Sequence, residues 1–213
     1  MKHTNKLFLL IFGVIILFSA CNKTDFDELA REQERQDSIE EARIKNLIKE
    51  QAPLLKAYVE NPSNGWTNPI LDTSRGIWYE ILTRGQEDSY TYKRSGSGQI
   101  VAPKIEVKYK GQLLNGTVFD QTDEQSTNKK TFIFNLAQDI IPAWTIAFLP
   151  QKIPYNGQDY AVGGLTSTGL KKGSKIRFVA PSPWGYDTRE RDKIPANSPL
   201  VFEIEVVDIS DSQ

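Results

Sequence analysis

The residue types that usually carry covalent or metal chemistry are almost missing from this chain. Its 213 residues include one His, His3, and one Cys, Cys21, both in or beside the N-terminal segment. A chain with no further His cannot assemble a Ser-His-Asp or Cys-His nucleophile, nor the usual His- or Cys-ligated zinc site. One Cys also excludes an internal disulfide, so the fold must stand on its core. No phosphate-loop or dinucleotide fingerprint is present. No cofactor and no metal is expected. Lys plus Arg number 26 against 27 Asp plus Glu, a balance that argues against nucleic acid as the main partner.

The single Cys has its own candidate chemistry. Lys2 and Lys6 give a basic start, and Leu7 to Phe18 is an almost unbroken apolar run. The run is shorter than the ~20 residues of a membrane-spanning helix and suits a secretory signal. It ends in Phe18-Ser19-Ala20-Cys21, small residues before a Cys, which resembles a bacterial lipobox in which the Cys becomes lipidated. Phe18 departs from the Leu-like residue usual there, and the alternatives are an ordinary signal peptide or an uncleaved anchor. The expectation is a lipoprotein signal peptide over 1–20 and lipidation at Cys21. That would put the protein in the bacterial cell envelope, tethered to a membrane on its periplasmic side or outer surface. Without Lys2 and Lys6, 24 basic residues face 27 acidic ones, so acyl chains rather than a polybasic patch would hold the membrane.

The elements that must position a site follow. Residues 24–51 are rich in Glu, Arg, Gln, Lys and Ala without Gly or Pro, a helical composition. Ile44, Leu47 and Ile48, extended at most by Gln51, form only a short stripe at helical spacing. A stalk over 21–60 is expected, and so short a seam favours a spacer over the alternative, a homodimer through the N-terminal helix. Asn61-Pro-Ser-Asn-Gly65 opens a linker over 61–75. Beyond it, apolar residues alternate at Ile77/Tyr79/Ile81, Ile105/Val107/Tyr109, Phe132/Phe134/Leu136, Ile176/Phe178/Ala180 and Phe202/Ile204/Val206, the period of half-buried strands. Asn115-Gly116 supplies a hairpin turn. Pro142 to Leu149 reads as a short helix, with Pro in the first turn. The fold class is α+β, an antiparallel β-sheet wrapped on a short helix.

Five blocks in order then carry a resemblance. Ile105 to Asp120, with its Tyr-Lys-Gly and Val-Phe-Asp, Phe132 to Leu136, Ile140-Ile-Pro-Ala-Trp144, Pro181 to Tyr186, and Ile194-Pro195 with Leu200 to Val206 resemble the FKBP family of peptidyl-prolyl cis–trans isomerases over about 76–210. The resemblance implies a pocket walled by Tyr109, Phe119 and Phe132 and floored by Trp144. Ile140 and Ile141 match the pair whose backbone contacts ligand, and Ile194 and Phe202 line the far side. Asp120 on the rim and the hydroxyl of Tyr186 match the catalytic positions. Three departures stand out. Asp187 follows Tyr186 where Gly is usual. No Arg follows Asp120 nearby, leaving Lys129 or Lys130 as its cationic partner. An insertion at about 150–169, containing Asn156-Gly157, is either a surface excursion or a flap beside the pocket.

The implied activity suits a chain so poor in reactive groups. Rotation about an Xaa-Pro amide makes and breaks no bond, and its partners would be proline-containing polypeptides undergoing export. The alternatives are an FKBP-like binding, chaperone or assembly lipoprotein with little turnover, and a structural envelope lipoprotein in a larger complex.

Overall fold

The computed structural model describes residues 21–127, 129–137 and 140–212. The expected signal peptide at 1–20, and the side chain of Cys21, lie outside the described residues. Helix α1 runs Cys21–Glu60. A division between two compact units falls at Asn46/Leu47, inside this helix. In the first unit the helical residues from Phe26 are mostly solvent-facing, as their charged composition dictates. Ion pairs such as Arg35–Glu32 join side chains three apart on the helix surface. No described helix is long and apolar enough to cross a membrane.

The second unit, Leu47–Gln213, is built on one antiparallel sheet. Its strands are β1 (Ile70–Asp72), β2 (Ile77–Thr83), β3 (Pro103–Leu113), β4 (Val118–Gln121), β5 (Phe132–Asn135), β8 (Lys175–Ala180) and β9 (Leu200–Asp211). The order across the sheet is β1-β2-β8-β9-β3-β4, with β5 also pairing β3. The long strand β3 is the organiser. It pairs along its whole length with β9, gives residues 104–107 to β5, and gives Lys110 to Gln112 to β4.

Strand alternation decides what each face meets. Ile77, Ile105, Val107, Ile176, Phe178 and Ile204 are fully or almost fully buried on the inner face. There they pack with helix α2 (Pro142–Phe148), which buries Ala143, Trp144, Ala147 and Phe148. Their neighbours Val179 and Val201 point the other way, and Leu55 and Val59 of α1 cover them. This last stretch of helix passes through Pro53, whose missing N–H costs a helical hydrogen bond. Burial of Leu55 and Val59 and three hydrogen bonds of Gln51 offset that loss. The Gln51 amide nitrogen donates to Ser182 Oγ (2.9 Å) and to the Asn197 carbonyl (3.0 Å), and its oxygen accepts from the Ser182 N–H (2.8 Å).

The insertion folds as a two-stranded hairpin, β6 (Lys152–Tyr155) with β7 (Gln158–Ala161). Asn156 and Gly157 take φ of 50° and 77°, the pair of positive values that a two-residue hairpin turn requires. Ile153 is fully buried, the Tyr155 hydroxyl donates to the Gly96 carbonyl (2.9 Å), and the Arg94 guanidinium lies 4.8 Å from the centre of the Tyr160 ring. The hairpin is therefore tied to the core and to the 94–98 loop.

Candidate functional site

A cavity of about 530 Å³ opens where β3, β4, β5, α2 and the 185–191 loop converge. Its floor is Trp144, which α2 turns inward and which is 5% exposed. Rings of Tyr109, Phe134 and Phe202 meet it edge-on at centroid distances of 5.2, 5.4 and 5.5 Å, and Phe132 at 6.2 Å. Edge-to-face contacts suit the opposite charges of ring edge and ring face. The result is a rigid apolar bowl. The indole nitrogen of Trp144 is buried without a hydrogen-bond partner among the described residues.

Polar groups stand at the rim. Asp120 is carried by β4, and a bulge sets its aim. Gly111 of β3 pairs with Asp120 while the adjacent Gln112 pairs with Val118, so Phe119 is the extra residue. Only Gly fits at 111, because a Cβ there would stand 2.5 Å from the Phe119 ring. Phe119 turns onto Phe202 (5.6 Å), and Asp120 is left at the cavity. The Tyr109 hydroxyl donates to Asp120 Oδ2 at 2.5 Å, and Lys129 Nζ pairs with Oδ1. Partial burial pushes the Asp120 carboxyl up, but the hydrogen bonds from Lys129 and Tyr109 outweigh it and hold the group below its ordinary range. Tyr109 is pushed well above the usual phenol range, by burial first and then by its bond to Asp120. The site therefore presents a carboxylate and a protonated phenol at neutral pH.

Of the residues singled out in the sequence, the cavity brings together Tyr109, Asp120, Phe132, Ile140, Ile141, Trp144, Tyr186 and Phe202. Phe119 and Ile194 are not among its lining residues. Phe119 packs against the back of Phe202, and Ile194 is 5% exposed within the core. The Tyr186 hydroxyl makes no hydrogen bond among the described residues, so it is free to donate to a ligand. Asp187, where Gly would be usual, adopts the left-handed φ of 54° that a Gly would supply, so the loop keeps that turn. Lys129 takes the place of the missing Arg. No residue of 150–169 lines the cavity. The sequence reading missed Pro142, Gly185, Arg189 and Arg191. The two arginines sit in a charged run, Arg189-Glu-Arg-Asp192, that looks like ordinary solvated surface.

No group of three or more His, Cys, Asp or Glu able to hold a metal occurs among the described residues. The arrangement offers an aromatic seat with an anion and a hydroxyl donor at its edge. It can bind and orient a small apolar ring and its adjoining amides.

A family model described as FKBP-type peptidyl-prolyl cis-trans isomerase matches residues 97–207, more than half of the chain. Among curated proteins, the FKBP-type peptidyl-prolyl cis-trans isomerase FkpA of Buchnera aphidicola (strain Sg) is 32% identical over 140 residues, covering 66% of this chain and 43% of the relative. FkpA of Escherichia coli (strain K12) is 27% identical over 177 residues, covering 79% and 53%. FK506-binding protein 3 of Kluyveromyces lactis is 31% identical over 107 residues, covering 50% and 20%. The chain thus spans about half or less of the length of these relatives. The crystal structure of FkpA from Escherichia coli matches the fold with a TM-score of 0.51 at 21% identity, covering 100% of this chain and 85% of that one.

Proposed function

The chain belongs to the FKBP-type peptidyl-prolyl cis-trans isomerase family, and from that premise we propose that it catalyses rotation about Xaa-Pro bonds in polypeptides folding at the cell envelope. The observation that carries the proposal is the Trp144-floored cavity, with Asp120 and Tyr186 together at its rim.

The chemistry asks little of the protein. Amide resonance holds the bond planar behind a barrier of ~18–20 kcal/mol, and uncatalysed exchange takes roughly tens to hundreds of seconds. The twisted transition state has lost resonance and carries less charge on oxygen. Its transfer into an apolar site costs less than transfer of the planar amide. A site that binds the twisted form better than the planar one lowers the barrier. Trp144 would seat the proline ring, while Tyr109, Phe132 and Phe202 keep water out. The Ile141 N–H and the Tyr186 hydroxyl would hold the flanking carbonyls, and Asp120 would orient the twisting amide through its fixed charge.

A protease-coupled isomerisation assay on the detergent-solubilised full chain tests this. The expected result is acceleration that falls about tenfold in Asp120→Ala and several-fold in Tyr186→Phe, ~1.4 kcal/mol or less in each barrier. FK506, the compound in the yeast relatives' names, should compete. A folded protein that does not accelerate exchange would leave a binding or assembly role.

We also propose that Cys21 is lipidated and tethers the domain to a membrane, on the strength of the Phe18-Ser-Ala-Cys21 sequence. Cys21→Ser should then move the protein to the soluble fraction. Persistent membrane attachment would point to an uncleaved apolar anchor instead.

A further inference from the structure

We propose that Arg189 and Arg191 make the site selective for prolines flanked by an acidic side chain, so that its preferred substrates are acidic polypeptide segments. The proposal rests on the isomerase reading above and adds the substrate class.

Both arginines line the cavity beside Tyr186 and both are solvent-exposed. Neither makes an ion pair or a side-chain hydrogen bond among the described residues. Backbone bonds, not carboxylate partners, hold them at the mouth. The Arg191 N–H donates to the Ile194 carbonyl and the Ile194 N–H returns the bond to Arg191, each at 2.9 Å. Ile194 is itself anchored in the core. The Arg189 N–H donates to the Tyr186 carbonyl at 3.0 Å. The Arg191 guanidinium then lies 5.5 Å from the centre of the Tyr186 ring, close enough for a cation–π contact that holds it beside that ring.

Charge at the mouth is unbalanced. Asp120 is the only carboxylate among the described lining residues, and it is already engaged by Lys129, by the Tyr109 hydroxyl and by the Gln121 N–H. Glu190 and Asp192 alternate with the arginines in sequence and are not among the lining residues. Two guanidinium forks without an ion-pair partner among the described residues therefore stand at the mouth. Such forks match a carboxylate's two oxygens. A substrate Glu or Asp next to the proline would meet a complementary charge, and a Lys there would meet repulsion.

The test uses the detergent-solubilised full chain and two peptide series. In one the residue before Pro is Glu, Gln, Leu or Lys, and in the other the residue after it is varied in the same way. The quantity read is the kcat/KM ratio of Glu to Gln peptide. At low ionic strength it should be about threefold or more at one of the two positions, as expected for exposed pairs, with Lys the poorest. It should fall towards one at about 0.5 M salt. Arg189→Gln combined with Arg191→Gln should abolish the preference, and Lys at both positions should keep most of it. Because the ratio is internal, partial loss of folded protein does not affect it. An active enzyme with no preference for Glu at either position would overturn the proposal, as would a preference that survives the double Gln variant. If no peptide is turned over, the isomerase reading fails instead. Binding of the Glu and Gln peptides, followed by calorimetry, then decides the charge selectivity: tighter Glu binding that salt weakens supports it, and equal binding overturns it.

Discussion

At the scale of single residues, Asp120 carries the site's clearest electrostatic signature. Partial burial alone would raise its carboxyl above the ordinary 3.8, yet the bonds from Lys129 and Tyr109 bring it below that value. A folded-state value under the unfolded one means that the ionised contacts stabilise the fold fully above the unfolded value. That stabilisation is lost as pH falls through the lower, folded value. Thermal midpoints followed from neutral to strongly acid pH should therefore show an acid-limb decline that shrinks in Asp120→Asn. Lys129→Met, which removes one of the two depressing bonds, should shrink it as well. An identical acid limb in all three proteins would mean the Asp120–Lys129–Tyr109 cluster contributes nothing in solution. Much of this cluster was legible in the sequence, because Tyr109, Asp120 and Trp144 sit in blocks whose order is distinctive. The Lys129 contact was legible only as one of two choices, since a loop joins it to Asp120. Arg189 and Arg191 were illegible, because an alternating charge run gives no sign that its backbone folds back over a cavity.

At the scale of elements, period-two alternation located β2, β3, β5, β8 and β9, since each turns one row of apolar residues to the core; it gave no sign of the second buried face that Val179 and Val201 form under α1. Alternation says nothing about bulges, and the extra residue at Phe119 decides that Asp120, and not its neighbour, reaches the rim. The insertion shows the same limit. Asn156-Gly157 announced a turn, but the burial of Ile153 depends on contacts distant in sequence. That burial makes the hairpin part of the structure, and none of its residues lines the cavity. Ile153→Ala should cost about 2–4 kcal/mol of stability and leave kcat/KM on short peptides unchanged. Urea denaturation alongside the isomerisation assay checks both. Altered peptide preference at unchanged stability would restore the flap reading.

For the molecule as a whole, the turn at Asn61-Pro-Ser-Asn-Gly65 looks like a domain boundary in the sequence, yet the compact unit begins at Leu47. The reason is physical. Three side chains of α1, Gln51, Leu55 and Val59, are buried on the outer face of the sheet, at a spacing that a 3.6-residue period brings to one side. Their partners Ser182, Asn197, Val179 and Val201 lie over a hundred residues away, beyond any local pattern. A fragment of residues 47–213 should keep the stability of the longer chain in this unit. A fragment of 61–213 should lose roughly 3 kcal/mol or more, from burial of the two aliphatic side chains alone. Equal denaturation midpoints for the two fragments would show that the helix end is not part of the folding unit.

Gln51 has a wider consequence. Ser182 and Asn197, which its one amide holds, stand at the two ends of the segment that contains Tyr186, Arg189 and Arg191. A loop fastened at both ends by the same group has far fewer ways to wander than one fastened at a single end. Losing Gln51 would remove a bond from each end at once, while the Asn197 N–H to the Asp187 carbonyl and the burial of Ile194 still hold the stretch between them. The two ends of the rim thus share one clasp, and a residue that lines no part of the cavity narrows the freedom of its mouth.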